Sequence, residues 1–307
     1  MRRALLGASL LGVLCLAGAC SAPAPRAGMR RLDELPPRFA ESWRAWLEQD
    51  PAWPEIRAEA LSEPALARFL VDNLTRQMMG NYADSRLAPL GDARIGRFER
   101  ARADLLVMHD YSVPVLVELL AIGNSQVDAL VTDLLLAIGR PAIMPLVSLL
   151  ERKEPNEARM RAARLLGDLP YALADEDAVR AALIRRLAED SEWLVRSKAA
   201  SALGERGARD RRTADTREAL IRGLDDEDHA VTRSSALALR TLRDPQAIPA
   251  LIVYLERTVL EGDVISLRAV QRTLRSLSGE PRDMRPRGWR AWWRDHRPAP
   301  VHSRTLR

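Results

Sequence analysis

One phrase recurs along this chain and constrains its fold more than any other feature. An apolar stretch built on Leu-x-x-x-Leu appears as "VPVLVELL" at 113, "IMPLVSLL" at 143, "AALIRRLAED" at 181, "REALIRGLDD" at 217 and "AIPALIVYLE" at 247. The first leucines of the five cores, Leu116, Leu146, Leu183, Leu220 and Leu251, are spaced by 30, 37, 37 and 31 residues. Each core is followed by a second phrase: "LLLAIG" at 134, "RAARLLG" at 161, "SKAASALG" at 197, "SSALALR" at 234 and "VQRTLRSL" at 270. Turn-forming residues separate the two phrases: Gly123-Asn124-Ser125, Pro155-Asn156, Asp190-Ser191, Asp226-Glu227-Asp228 and Gly262-Asp263. A fixed period of this size marks a repeat architecture, in which each unit hides its apolar face on the next.

The apolar positions recur at steps of three and four, the period of a helix with one dry face. Composition agrees. Aromatics are only 5% of the chain, while Ala, Leu and Arg, all strong helix formers, dominate. Each unit is therefore predicted to be helix, short turn, helix. Ala199, Ala200, Ala202, Ala236 and Ala238 crowd the second helices and allow close approach of neighbours. Asp or Ser at the turns can cap the second helices, and Pro114, Pro145 and Pro249 fit the first turns of the first helices.

"AEDSEWLVRSKAASALGERG" and "DDEDHAVTRSSALALRTLRDPQAIPALIVYLE" resemble HEAT repeats of the short kind first noticed in phycobilin lyases. The Asp, Val195-Arg196, the Ala-rich helix, Leu-Gly and Ile-Pro-Ala-Leu fall in the family's order. The resemblance spans 112–278 and implies an all-α fold, a right-handed α-solenoid of helical hairpins with an armadillo-type superhelix. Thr232 departs from the pattern, standing where the family has Arg, and residues 205–216 lengthen one linker. Before the repeats, 37–111 is predicted to be an N-terminal helical capping region. It contains helices in "PALARFLVDNLTRQMMG" and in "DARIGRFERARADLLVMH", with "NYADSRLAPLG" as a loop between them.

Residues 1–19 have Arg2 and Arg3, an apolar run from Ala4 and a small-residue exit, the layout of a secretory signal peptide. "LAGAC" resembles a bacterial lipobox, which implies cleavage before Cys20, lipidation of its sulfur and acylation of its amino group. Ala17-Gly18-Ala19 is also an ordinary A-x-A site, and Ala17 replaces the usual lipobox Leu. "SAPAPRAG" extends the reading as a flexible tether within 20–36. Ser21 resembles the signal for outer-membrane delivery in Gram-negative bacteria. With Cys15 removed, only Cys20 remains, so no intrachain disulfide is expected.

The tetrapeptide Trp-Arg-Ala-Trp occurs twice, as Trp43 to Trp46 and as Trp289 to Trp292, with Trp293 following. On a helix Trp289, Trp292 and Trp293 share a face, as do Trp43 and Trp46. They are read as caps for the two ends of the array, with a membrane or ligand site as the rival reading. The segment 279–307 is thus a Trp-rich cap with a basic tail. Residues 280–307 hold eight Arg against Glu280, Asp283 and Asp295, which accounts for the whole net charge of +5. A balanced body argues against nucleic acid as a partner.

Catalytic motifs are sparse. None of the four histidines precedes a Glu, which excludes the His-Glu pairs implied by resemblance to deoxyhypusine hydroxylase. No zinc spacing, nucleophile elbow or phosphate-cradling loop appears. A bilin lyase resembles the repeats more closely, but an exported chain suits neither that role nor that of the HEAT-like DNA glycosylases. No cofactor, metal or small-molecule substrate is expected. The expectation is a non-enzymatic envelope lipoprotein that binds a protein partner, with a structural accessory subunit as the alternative. Arg159, Arg196, Lys198, Arg233 and Arg268 recur at roughly repeat spacing on the second helices. Two readings stand: a basic groove for an acidic peptide or polyanion, or ion pairs with neighbours such as Asp190 and Asp226.

Overall fold

The computed structural model describes residues 32–85, 93–122, 125–153, 155–170, 173–210 and 214–296. The signal peptide, Cys20, most of the tether and the tail beyond 296 lie outside the described residues. Those described form fifteen α-helices and no strand. The chain divides into two units, one ending at Val115 and the other beginning at Leu116.

The first unit contains α1 (Pro37–Glu48), α2 (Trp53–Ala60), α3 (Pro64–Ser85), α4 (Ala93–Val107) and the start of α5 (His109–Ile122). Leu66, Ala67, Leu70, Val71, Leu74 and Met78 make one buried stripe along α3, facing Phe98, Ala101 and Leu105 of α4. A carboxylate sits on that dry stripe of α4. Asp104 accepts hydrogen bonds from the indole N–H of Trp46 at 2.7 Å and of Trp53 at 3.0 Å, and pairs with Arg57. Trp43 stacks on Trp46 with ring centroids 4.9 Å apart. The predicted loop beginning at Asn81 starts later, because α3 runs on to Ser85. Pro114 is likewise not in a first turn. The helix starts at His109, and the Ser112 hydroxyl within it donates to the Leu105 carbonyl at 2.7 Å across the α4–α5 joint.

The second unit is an all-α solenoid. After α5 and α6 (Ser125–Ile138) come four helical pairs: α7 (Ile143–Leu150) with α8 (Asn156–Asp168), and α9 (Leu173–Glu189) with α10 (Trp193–Gly207). The third is α11 (Ala214–Gly223) with α12 (His229–Leu242), and the fourth is α13 (Ile248–Glu261) with α14 (Val264–Ser278). The recurring leucines Leu116, Leu146, Leu183, Leu220 and Leu251 are all fully buried. Asp228 caps α12 by accepting from the Ala230 N–H at 2.7 Å, and Asp263 caps α14 by accepting from Ile265 and Ser266.

The second helices pack on one another in a row, far more closely than the first helices do. Gly204 makes this possible, since a Cβ there would lie 2.7 Å from the Ala238 Cα on the next helix. Gly167 repeats the device, with Ala202 Cα at 3.0 Å. Both glycines stand twelve residues past the residue preceding their helix. The equivalent position is Arg240 in α12 and Arg275 in α14, and Gln271 takes the place of Ala163, Ala200 and Ala236. The array ends where its forward face becomes polar, as a terminal repeat requires.

The other row ends on α15 (Pro286–His296), which packs against α13. Trp289 is fully buried there, while Trp292 and Trp293 are only half-buried. Trp292 lies edge-on to Trp289 and stacks on His296. The two tetrapeptides are therefore not equivalent. Both tryptophans of the first are buried inside their unit, and only the leading one of the second is.

Gly204→Ala adds a methyl group against backbone that cannot retreat. The better helix propensity of Ala, about 1 kcal/mol, does not offset overpacking, so urea unfolding should show a net loss of about 1–3 kcal/mol. An unchanged or raised midpoint would mean that the row is looser than described. Trp289→Ala should cost about 3–5 kcal/mol and Trp292→Ala clearly less; equal losses would contradict the burial difference.

Candidate protein-binding surface

The five basic residues expected on the second helices separate according to helical phase. Arg159 and Arg196 stand four residues past the residue preceding their helix, Arg233 and Arg268 five past, and Lys198 six past. Each residue turns the side chain by about 100°, and that step decides its environment. The first two point along the array and are buried, whereas Lys198 and Arg233 are half-buried and Arg268 is exposed.

Arg159 and Arg196 are therefore corrected from contact residues to joints between repeats. Arg159 donates from Nε and Nη2 to the two oxygens of Asp190 at 2.7 and 2.9 Å, with side-chain exposures of 4% and 0%. Its Nη1 also donates to the Lys153 carbonyl in its own turn. Arg196 repeats the arrangement one unit on. It forks onto Asp226 at 2.7 and 2.9 Å and donates to the Asp190 carbonyl at 2.9 Å. Asp190 and Asp226 each also accept the backbone N–H two residues later, from Glu192 and Asp228. One guanidinium thus ties its own turn to the next turn, and one carboxylate closes the turn that receives it. Thr232 holds this place in α12, and its hydroxyl pairs with the Tyr254 hydroxyl at 2.9 Å.

Burial alone would push the Asp190 carboxyl up. The Arg159 hydrogen bond, the Glu192 N–H and the charges of Arg159 and Arg186 more than compensate, and hold it below its ordinary value of 3.8. Asp128 shows the reverse balance. Burial keeps its carboxyl above the ordinary value even though Arg161 lies 2.7 Å away.

Two buried groups carried no motif. Arg206, near the end of α10, pairs with Glu176 at the start of α9 and donates to the Leu166 carbonyl, joining three helices. Asp104 had a legible signal, a carboxylate in phase with Phe98, Ala101 and Leu105. Glu176 had none, sitting among the acidic residues of an ordinary first turn. His109 and Asp110 meet at 2.9 Å at the exposed start of α5, and Asp226 and Asp228 serve as joint and cap. Among the described residues no group of three or more His, Asp and Glu gathers in a way that would hold a metal ion.

The family profile described as HEAT repeats matches residues 113–204 and 180–261. Together the two matches span 113–261, so the helical pairs in the middle of the chain are similar to HEAT repeats. Two crystal structures of engineered proteins are similar to the chain. One has 22% identity and a TM-score of 0.42 over 65% of this chain and 97% of that one. The other has 20% identity and the same TM-score over 80% and 74%. No curated protein matches this chain.

The joints carry a pH-dependent share of the stability of the helical array. Asp190 has a folded pKa below its unfolded value, so its contribution is complete above 3.8 and fades as pH falls through the lower folded value. Asp190→Asn leaves Arg159 buried without its counter-charge and should cost about 3–5 kcal/mol at neutral pH. Urea unfolding of the variant should also lose part of the acid dependence of the native protein below 3.8. A variant with unchanged neutral stability would show the joint to be dispensable.

Proposed function

We propose that this protein is a non-enzymatic scaffold, anchored at the bacterial cell envelope through lipid on Cys20, that binds another protein through its HEAT array. The observation that carries the reading is the division of labour among its charges. Inside the repeats, Arg159, Arg196, Arg206, Asp190, Asp226 and Glu176 are absorbed in joints between helices. Lys198, Arg233 and Arg268 remain on the face of the second-helix row. A solenoid presents such a face as an extended contact surface. No single helix among the described residues is long and apolar enough to cross a membrane. In this reading attachment falls to the acyl chains, two or more of which anchor stably. Delivery to the outer membrane rests on Ser21 following the lipidated cysteine.

A structural accessory subunit is the second reading. It is favoured by the apolar surface around the last hairpin, where Val253, Val264 and Ile265 are exposed and Leu260 is 86% exposed. Permanent docking would cover such side chains. Crosslinking in the native envelope, followed by mass spectrometry, tests both readings. The scaffold reading expects a captured partner whose abundance does not depend on this protein, whereas the accessory reading expects partner levels to fall on deletion. Recovery of the protein alone, with several crosslinkers, would remove both. In the same experiment Cys20→Ala should move the protein from the membrane to the soluble fraction, and a variant that stays membrane-bound would remove the lipid anchor.

A further inference from the structure

Helices α12 and α14, the last two of the second-helix row, contain five arginines and no acidic residue. Arg275 is engaged, with Asp283 at 3.1 Å. The other four, Arg233, Arg240, Arg268 and Arg272, have no carboxylate partner among the described residues. The nearest turn carboxylates are already committed. Asp226 belongs to Arg196, Asp228 caps α12, and Asp263 caps α14 while facing His229 at 3.3 Å. Arg233 and Arg268 have the same phase on their helices, five residues past the cap, and so lie side by side across the α12–α14 contact. Arg240 stands two turns beyond Arg233, and Arg272 one turn beyond Arg268. With about 1.5 Å of rise per residue and about 8–10 Å between packed axes, the patch is about 10 Å on a side. Val264 and Ile265, both exposed, continue the same surface at the start of α14.

We infer that this patch docks an acidic, partly apolar segment of another polypeptide, and so identifies the kind of partner that the scaffold reading requires. The exposed guanidiniums of Arg268 and Arg272, beside the half-buried Arg233 and Arg240, match carboxylates of a chain laid across two helices, and the planar fork of Arg pairs with carboxylate oxygens two at a time. Val264 and Ile265 give apolar residues of the segment a contact that a free inorganic anion would not use. The aromatic ring on these helices is the imidazole of His229, which faces Asp263 at 3.3 Å, so they offer no series of rings on which successive nucleic-acid bases could stack. At the other end of the row α6 carries Asp128 and Asp133 and no basic residue, with Asp128 paired to Arg161 and Asp133 exposed.

The test uses the full chain and a short fluorescein-labelled peptide of glutamate and leucine, with binding followed by anisotropy. The expected result is saturable binding that weakens with salt. Arg268→Glu with Arg272→Glu should weaken it by about tenfold or more. A charge-matched control on the other row, Arg222→Glu with Arg287→Glu, should leave it unchanged. Both pairs are exposed, and equal thermal melts confirm that the fold is intact. No binding at low ionic strength, or equal loss in the control, would overturn the inference. So would tighter binding to phosphatidylglycerol vesicles than to the peptide, which would assign the patch to lipid headgroups. Envelope crosslinking with the Arg268→Glu, Arg272→Glu protein separates this inference from the broader one. A partner captured equally by both proteins sinks the patch and keeps the scaffold, whereas a partner lost only from the variant supports both.

Discussion

The bidentate pairing of an arginine in one repeat with an aspartate in the next is the interaction on which the order of the array depends. Apolar burial alone would let stacked helical pairs slide and rotate, because the effect is proportional to area and has no direction. Arg159–Asp190 and Arg196–Asp226 supply that direction. Each guanidinium is bound at once to carbonyls of its own turn and to a carboxylate of the next. Such a pair is expensive to break because the surviving charge is left buried. The exposed pairs of the other row, such as Arg185–Glu151 and Arg257–Asp225, are surface contacts worth about 0–1 kcal/mol each. Register is therefore held on the row whose helices also approach most closely.

The joint also explains how the array ends. A guanidinium at this position needs an aspartate one unit ahead. Thr232 stands there in α12 and turns to Tyr254 instead, and Leu267 occupies the place in α14. Where the joint stops, the close packing of Gly167 and Gly204 also stops, and Arg240 and Arg275 take their positions. The other row is closed differently, by the buried indole of Trp289. The two ends of one helical pair thus use two solutions, polar side chains on one row and a covering helix on the other.

Most of the architecture was legible because it rests on a pattern repeated five times. The leucine cores, the small residues of the second helices and the caps at Asp228 and Asp263 each follow from local chemistry. The sorting of the basic residues was not legible from the same alignment. Anchoring on first-helix leucines loses phase at the turns, whose lengths vary, so the arginines are located only to within a residue. One residue is about 100° on a helix, the difference between the buried Arg196 and the exposed Arg268. Counting from the residue before each second helix restores the phase, and that residue is plain only where it is an Asp. The Trp-Arg-Ala-Trp copies show the same dependence on surroundings. Identical tetrapeptides face different neighbours, and only Trp46 has an Asp104 to receive its N–H, whereas the Trp289 N–H is buried without a partner among the described residues.

Arginine does two opposed things along one row of helices, and the phase of the residue decides which. Four residues into a helix it meets the next repeat's aspartate and becomes part of the interior. Five residues in, it faces water unless a partner arrives. The body of the chain is nearly balanced in charge, but balance in sum conceals separation in space. The acids of the later repeats are concentrated at turns, as caps and joints, which leaves α12 and α14 with arginine alone. Where the joint is absent, the turn carboxylates Asp228 and Asp263 still serve as caps, and Arg233, Arg240, Arg268 and Arg272 on the face beside them keep no carboxylate of their own among the described residues.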